Sequence, residues 1–486
     1  MGIQGTQRVM ETGASDAPAC PFSRIRSKIA PRPANTEGRN KVSRIKGRLI
    51  SGSYFDFFRD QLGFLSKTSR SFGDFVRLRF FHVPVFLVSH PDLIEEVFNS
   101  KRPMFRKAKT LSMPSQKMLF GNSLLVSEGE FWLRQRRALK RAFSQDLIRD
   151  YSKIVVETAG RYLELWRDGE VRSIDRELTD LTFAVASRSF FGIDGNDEKA
   201  VIRELVDLNK SIFSSQNRLA WFWDNFLPTR KRRRFERAVG KVDELIAGLI
   251  RKRRAEGPGR KDLLSVLLSM QDADAQELTD RQLRDEIVTV FIAGHETTAV
   301  TLGWAWTLLA KHPEEFEKLK TEVETVLGGR PPDFGDLPKL VHAQRIIKES
   351  MRLFPPNRST AREAAEECEI GGIKIPKGAQ VVMPQWVVHR DERFYQRPDE
   401  FIPGRWTPEF EQSLHKYAYF PFGAGARVCI GRAFSMMETT LILAMIAQRF
   451  EITLDSPEQV EPVPLVLLRP NIELKATLRS TRDPRV

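Results

Sequence analysis

A chain of 486 residues, 41% hydrophobic and 29% charged, can bury a large core, and its length alone favours two or three domains. The net charge of +14 suits an anionic partner, but no recognition motif or aromatic platform for nucleic acid accompanies it. Cys20, Cys368 and Cys429 are few, odd in number and far apart, which argues against a disulfide framework or a cysteine-bound zinc and for a reducing compartment.

In chain order, residues 1–45 read as a flexible basic tail without the apolar run of a signal peptide or anchor. No later segment approaches the roughly 18–20 apolar residues of a spanning helix, so a cytosolic protein is expected. Phe75 to Val88 alternates and is rich in Val and Phe, which predicts a hairpin. A helix begins at Asp92, after Ser89-His90-Pro91. From Gly129 to about Gly257 the pattern is helical. Within it, Trp221-Phe222-Trp223 and Phe226 suit a lid or membrane-touching edge, or core packing. The densest basic run, Arg230 to Arg234, opens a helix to Ile250 whose basic end is a solvated face or a docking patch.

A long helix is predicted from Thr279 to Leu309, with Thr279 and Gln282 spaced as a capping box. At more than 30 residues it should cross the whole molecule. Another helix covers Ala343 to Phe354. Short strands follow at Glu369–Gly372, Ile373–Pro376 and Val381–Pro384, and a last helix runs from Gly431 to Phe450. There is no internal repeat, and nothing beyond the tail marks a domain boundary.

The loop before that last helix, Phe420-Pro-Phe-Gly-Ala-Gly-Ala-Arg-Val-Cys-Ile-Gly431, places Gly423, Gly425, Gly431 and Arg427 around Cys429. Glycines let backbone approach something flat and bulky. Loop amides and the following helix N-terminus favour a thiolate, and Arg427 can bind a carboxylate of the same ligand. That combination fits an iron-porphyrin with cysteine as its proximal ligand.

F-G-x-G-x-R-x-C-x-G resembles the haem-binding signature of the cytochrome P-450 family, with Ala426 where many members carry proline. Further motifs occur in the family's order. Ala293-Gly294-His295-Glu296-Thr297-Thr298 resembles its oxygen-activation segment, which makes Glu296 and Thr297 the catalytic proton relay. Gly294, costing a helix about 1 kcal/mol, would open room beside the cofactor, and His295 is expected to serve packing rather than a metal. Glu349 and Arg352 form the family's E-x-x-R pair, one turn apart. Arg405, in Phe401-Ile-Pro-Gly-Arg-Trp406, would join them in a structural network, although Gly404 replaces a commonly acidic residue. Trp132 and Arg136, from W-x-x-x-R, and Arg362 match haem-propionate partners.

The resemblance covers residues 46–486 and implies one large domain, mainly α with small β-sheets. Cys429 would be the axial ligand of haem b (iron protoporphyrin IX). Trp132, Arg136, Gly294, Arg362, Phe422, Gly423, Arg427 and Gly431 would surround the cofactor. It implies a monooxygenase that inserts one oxygen atom from O2 into a lipophilic small molecule. Only 57 residues follow Cys429 and no flavin or nicotinamide motif precedes it, so electrons would come from a separate ferredoxin or flavodoxin with its reductase. A monomer is expected, with no nucleic-acid partner. The pocket is expected to draw on Phe291, Ile292 and Ala293, on Ser359 to Ala361, and on Phe120 to Val126. A haem-thiolate isomerase or peroxygenase would share Cys429 without needing electrons, and a haem sensor would lack the relay.

Overall fold

The computed structural model describes residues 42–108, 113–213, 225, 227–257, 259–273 and 278–481. Cys20 and most of the tail, as well as Trp221, Phe222, Trp223 and Phe226, lie outside the described residues.

Four helices position the site: α1 (Gly129–Ala142), α2 (Asp280–Lys311), α3 (Val341–Leu353) and α4 (Arg432–Arg449). The longest, α2, begins with the capping box that its sequence requires. Thr279 Oγ1 accepts from the Gln282 amide at 3.2 Å, and the Gln282 side chain accepts from the Thr279 amide at 2.6 Å. Its 32 residues correspond to a rod of about 48 Å. Leu283 to Leu309 is buried along nearly all of its length, which a helix achieves only by running through a core. It packs on Ile174–Ala186, on α3 and on α4.

One hydrophobic cluster therefore extends from Leu62 to Leu478. The two or three domains suggested by length do not form, because α2 is shared by everything around it. The chain is one mostly helical domain with small sheets.

Beside the helices lies a six-stranded sheet. Its order is Ser43–Arg44, Phe75–Phe80, Val83–Val88, Gln380–Met383, Thr360–Ala364, Phe105–Lys107. The hairpin has Phe75 opposite Val88 and Phe80 opposite Val83. Ser43 and Arg44, read above as tail, pair in parallel with Val76 and Arg77. The strand Thr360–Ala364 was not foreseen. Its pairing with Phe105–Lys107 sets Lys107 opposite Arg362. Val171–Ser173 also interrupts the stretch expected to be helical, because it completes a sheet with the distant Lys475–Ser480.

Candidate active site

Cys429 lies where the glycine loop enters α4. Its amide donates to the Phe422 carbonyl at 2.9 Å. Gly423 and Gly425 hold φ of +69° and +67°, the left-handed region that glycine tolerates. A Cβ on Gly425 would stand 2.5 Å from the Phe98 carbonyl oxygen. The backbone approaching that glycine is therefore the end of the helix Pro91–Phe98. Beside the sulfur there is more room: a Cβ on Gly431 would be 3.9 Å from Cys429 Sγ.

The Cys429 residue is exposed, yet burial pushes its thiol up, against the Gly431 amide, Arg136 and Arg432. Together these mark a side chain on the floor of an internal cleft. The Gly431 amide acts toward the thiolate, as expected of the loop, and burial opposes it.

Cations gather on one side of this floor. Arg136 donates to the Val428 carbonyl at 2.8 Å. Arg427 donates to the Ser127 carbonyl at 3.2 Å and pairs with Glu128. The Trp132 ring lies beneath three guanidinium groups, those of Arg427, Arg102 and Arg136, at 4.2, 5.2 and 5.7 Å. Arg362 is 5.3 Å from the Phe98 ring, and burial and Arg427 push it down to about 10. Lys107 donates to the Leu124 carbonyl at 2.9 Å and is pushed down to about 7, mostly by burial and then by Arg427.

Arg102, Glu128, Trp132, Arg362 and Arg427 line a cleft of about 260 Å³. Arg102 and Lys107 were missed in the sequence, since a lone cation carries no spacing signal. Glu128 and Glu130 line this cleft against the three guanidinium groups of Arg102, Arg362 and Arg427, so the cleft keeps a positive charge that suits an anionic ligand. The two carboxylates of an iron-porphyrin above an accessible cysteine meet that need, and the residues fit the group.

On α2, Ala293 is exposed between the buried Ile292 and His295. Space for a ligand therefore reaches the middle of an otherwise enclosed helix. Phe291 is core: its ring packs 5.1 Å from Phe183 and 5.2 Å from Phe191, away from Ala293. His295 is likewise a packing residue, with Nδ1 2.9 Å from the Phe291 carbonyl. A Cβ on Gly294 would meet the Phe190 ring at 3.3 Å. On that side the missing side chain accommodates Phe190.

Thr297 Oγ1 donates to the Ala293 carbonyl at 2.9 Å. Glu296 forms an ion pair with Arg469, from the strand Leu468–Pro470. On the next face of α2, Thr298 Oγ1 donates to the Gly294 carbonyl at 2.9 Å and lies 3.2 Å from Glu438 on α4. Burial pushes Glu438 up to about 8. Among the apolar residues expected at the pocket, Leu124, Leu125 and Val126 are half-buried and Phe120 is buried. The Leu124 amide is held at 2.7 Å by the buried Glu286, itself pushed up to about 8 by desolvation.

The E-x-x-R network closes around Glu349. Both its oxygens accept from Arg352 at 2.8 Å. Arg405 Nε and the Trp406 indole each donate to it at 2.9 Å, and the Ile402 amide at 3.0 Å. Arg352 spends its remaining donors on the carbonyls of His389, Pro398 and Glu400. Gly404 contributes no acid, and Trp406 adds a further donor to Glu349 instead.

The family model described as Cytochrome P450 matches residues 47–476. The chain is 32% identical over 475 residues to cyclooctatin synthase of Streptomyces melanosporofaciens, covering 95% of this chain and 99% of that protein. It is 33% identical to cyclooctat-9-en-7-ol 5-monooxygenase of the same organism, covering 83% and 87%. Pentalenene oxygenase of Streptomyces avermitilis is 30% identical, with 86% and 92% covered. Among solved structures, retinoic acid bound cyanobacterial CYP120A1 superposes with a TM-score of 0.78 at 26% identity, covering 90% of this chain and 99% of that one.

Proposed function

The chain belongs to the cytochrome P450 family and is a haem-dependent monooxygenase, and on that premise we propose which residues carry the reaction and on what. Cys429 would ligate the iron of the cofactor, haem b, through its sulfur. Phe422, Gly423 and Gly431 shape its seat, and Trp132, Arg136, Arg362 and Arg427, joined by Arg102 and Lys107, take its carboxylates. The surplus of positive charge around Trp132, next to an accessible cysteine, is the observation that carries this reading.

Bound there, haem would supply activation of O2 and insertion of one oxygen atom, the other leaving as water. The chain's own part is to position and to move protons. Glu296 takes up a proton at its carboxylate and passes it through the Thr297 hydroxyl into the space beside Ala293. For that, the Glu296 carboxylate must leave Arg469, so the ion pair holds the relay closed between turnovers. Leu124, Leu125 and Val126 keep that space apolar.

The substrate is a hydrocarbon-rich small molecule of terpenoid type. Relatives named for an alkene and an alkenol favour this over a fatty acid. Electrons come from a separate acidic ferredoxin or flavodoxin. Arg134, Arg137, Lys140, Arg141 and Arg432 are exposed on α1 and at the start of α4, on the cysteine side, where they would steer such a partner. Free cysteines suit a reducing, cytoplasmic setting.

The test is turnover under 18O2 with a surrogate ferredoxin, its reductase and a cyclic alkene panel. One labelled oxygen in the product supports the reading. Product formed only with added peroxide, and none with the reductase, would replace it with a peroxygenase.

A further inference from the structure

Segments that border a ligand space are ordinarily among the loosest parts of a fold. The segment 119–126, which leaves the helix Pro114–Phe120, is instead held by buried charges. Arg284 donates to the Leu119 carbonyl at 2.6 Å, Asp285 accepts from the Asn122 amide at 2.8 Å, and Glu286 accepts from the Leu124 amide at 2.7 Å. These three residues are consecutive on α2, and all are buried. The other side is held as well. Gln135 of α1 donates to the Asn122 carbonyl at 3.0 Å, and Lys107 donates to the Leu124 carbonyl at 2.9 Å. Asn122 and Leu124 therefore have both backbone polar groups taken by side chains.

Burying an ionisable group is unfavourable unless it is well hydrogen-bonded. Here three in a row are buried, and each is directed at the same segment. Gly121 shows how close the fit is: it holds φ +51°, and a Cβ there would overlap the Asp285 carboxylate. The clamp also shares a face with the site. Glu286, Val290, Ala293 and Thr297 recur at helical spacing on α2, and of these Val290, Ala293 and Thr297 are incompletely buried. Glu286 precedes Ala293 by two turns, about 10 Å along the axis.

We propose that Arg284, Asp285 and Glu286 are positioning residues that fix 119–126 as a rigid wall of the substrate space, with Glu286 setting the place of Leu124, Leu125 and Val126. This role rests on haem seated at Cys429 with the ligand space beside Ala293. A wall that is already fixed needs no ordering when a ligand binds, and it selects compact rings that match it. Burial pushes the Glu286 carboxyl up to about 8, so at neutral pH an uncharged amide of the same shape can stand in for it.

The experiment titrates the full-length holoenzyme with imidazole and with 4-phenylimidazole, following the Soret shift as each ligates the iron. The two differ only in the phenyl ring, which makes the second large enough to read the wall. Glu286→Ala should weaken 4-phenylimidazole at least about fivefold and leave imidazole within about twofold of the parent. Glu286→Gln keeps an acceptor for the Leu124 amide and should stay within about twofold of the parent for both. Gly121→Ala displaces the same segment without altering α2 and should repeat the Glu286→Ala pattern, which decides the question if Glu286→Ala does not fold. Unchanged 4-phenylimidazole affinity in these alanine variants overturns the proposal. So does equal weakening of both azoles, which places the effect in the cofactor seat, or a Glu286→Gln variant as weak as Glu286→Ala. A parent whose reduced carbon monoxide complex lacks a red-shifted Soret band would instead remove the proposed function, and the wall's role with it.

Discussion

At the scale of single residues, the pairing of Glu296 with Arg469 has the most direct consequence. E-T on α2 marks the proposed relay in the sequence, but its arginine lies 173 positions away and carries no motif. Glu296→Gln keeps the shape and removes the proton carrier, so kcat is expected to fall about 10²-fold with haem uptake intact. Arg469→Ala leaves the carboxylate unanchored, and the fraction of consumed reductant recovered as product should fall severalfold. Stopped-flow turnover with product quantification checks both; unchanged coupling in R469A would remove Arg469 from the relay. The same contrast holds across the site. Trp132, Arg136, Arg362 and Arg427 could be proposed from the sequence because the family's motifs give their places relative to Cys429. Arg102, Lys107 and Glu438 could not, because only the folded chain brings an isolated charge to its partner.

At the scale of elements, local chemistry and long-range pairing differ in how well they can be read. The start of α2 was legible from Thr279 and Gln282 alone, because a capping box is satisfied within one turn. Thr360–Ala364 and Val171–Ser173 were not, because their pairing partners are remote in sequence. The cysteine loop stands between these cases. Its glycines are visible, but that Gly425 yields to Phe98 required the fold. Gly425→Ala combines φ +67° with a 2.5 Å clash against backbone, and should lower haem occupancy and melting temperature together. The Glu349 network is equally specific. Glu349→Ala strands the buried Arg352, at a cost of about 3–5 kcal/mol, which urea unfolding of the variant measures. A loss below about 1 kcal/mol would mean that the network is dispensable.

At the scale of the whole molecule, the shared core made length a poor guide: α2 and α4 are buried almost throughout, and the domain cannot be divided between them. That burial has a price in pH dependence, carried by Glu286 on α2 and Glu438 on α4, both pushed up to about 8. Thr298 has one hydroxyl hydrogen, and its shorter contact is to the Gly294 carbonyl. The contact with Glu438 is therefore best made by the carboxyl's own proton. A folded value near 8 against 4.5 unfolded means that the native state binds the extra proton. Its contribution to stability is full below 4.5 and is lost as pH rises toward 8. Glu438→Gln should make that decline shallower, with Glu286 keeping its share, as followed by thermal unfolding between pH 5 and 9. A parallel decline in the variant would show that other groups carry it.

The central claim is that Cys429 ligates haem iron through sulfur. The most direct test is the Soret band of the reduced, carbon monoxide-bound holoenzyme. A strongly red-shifted band, absent in Cys429→Ala, is the result predicted. A band at the shorter wavelength of imidazole ligation, in well-folded parent protein, would contradict it.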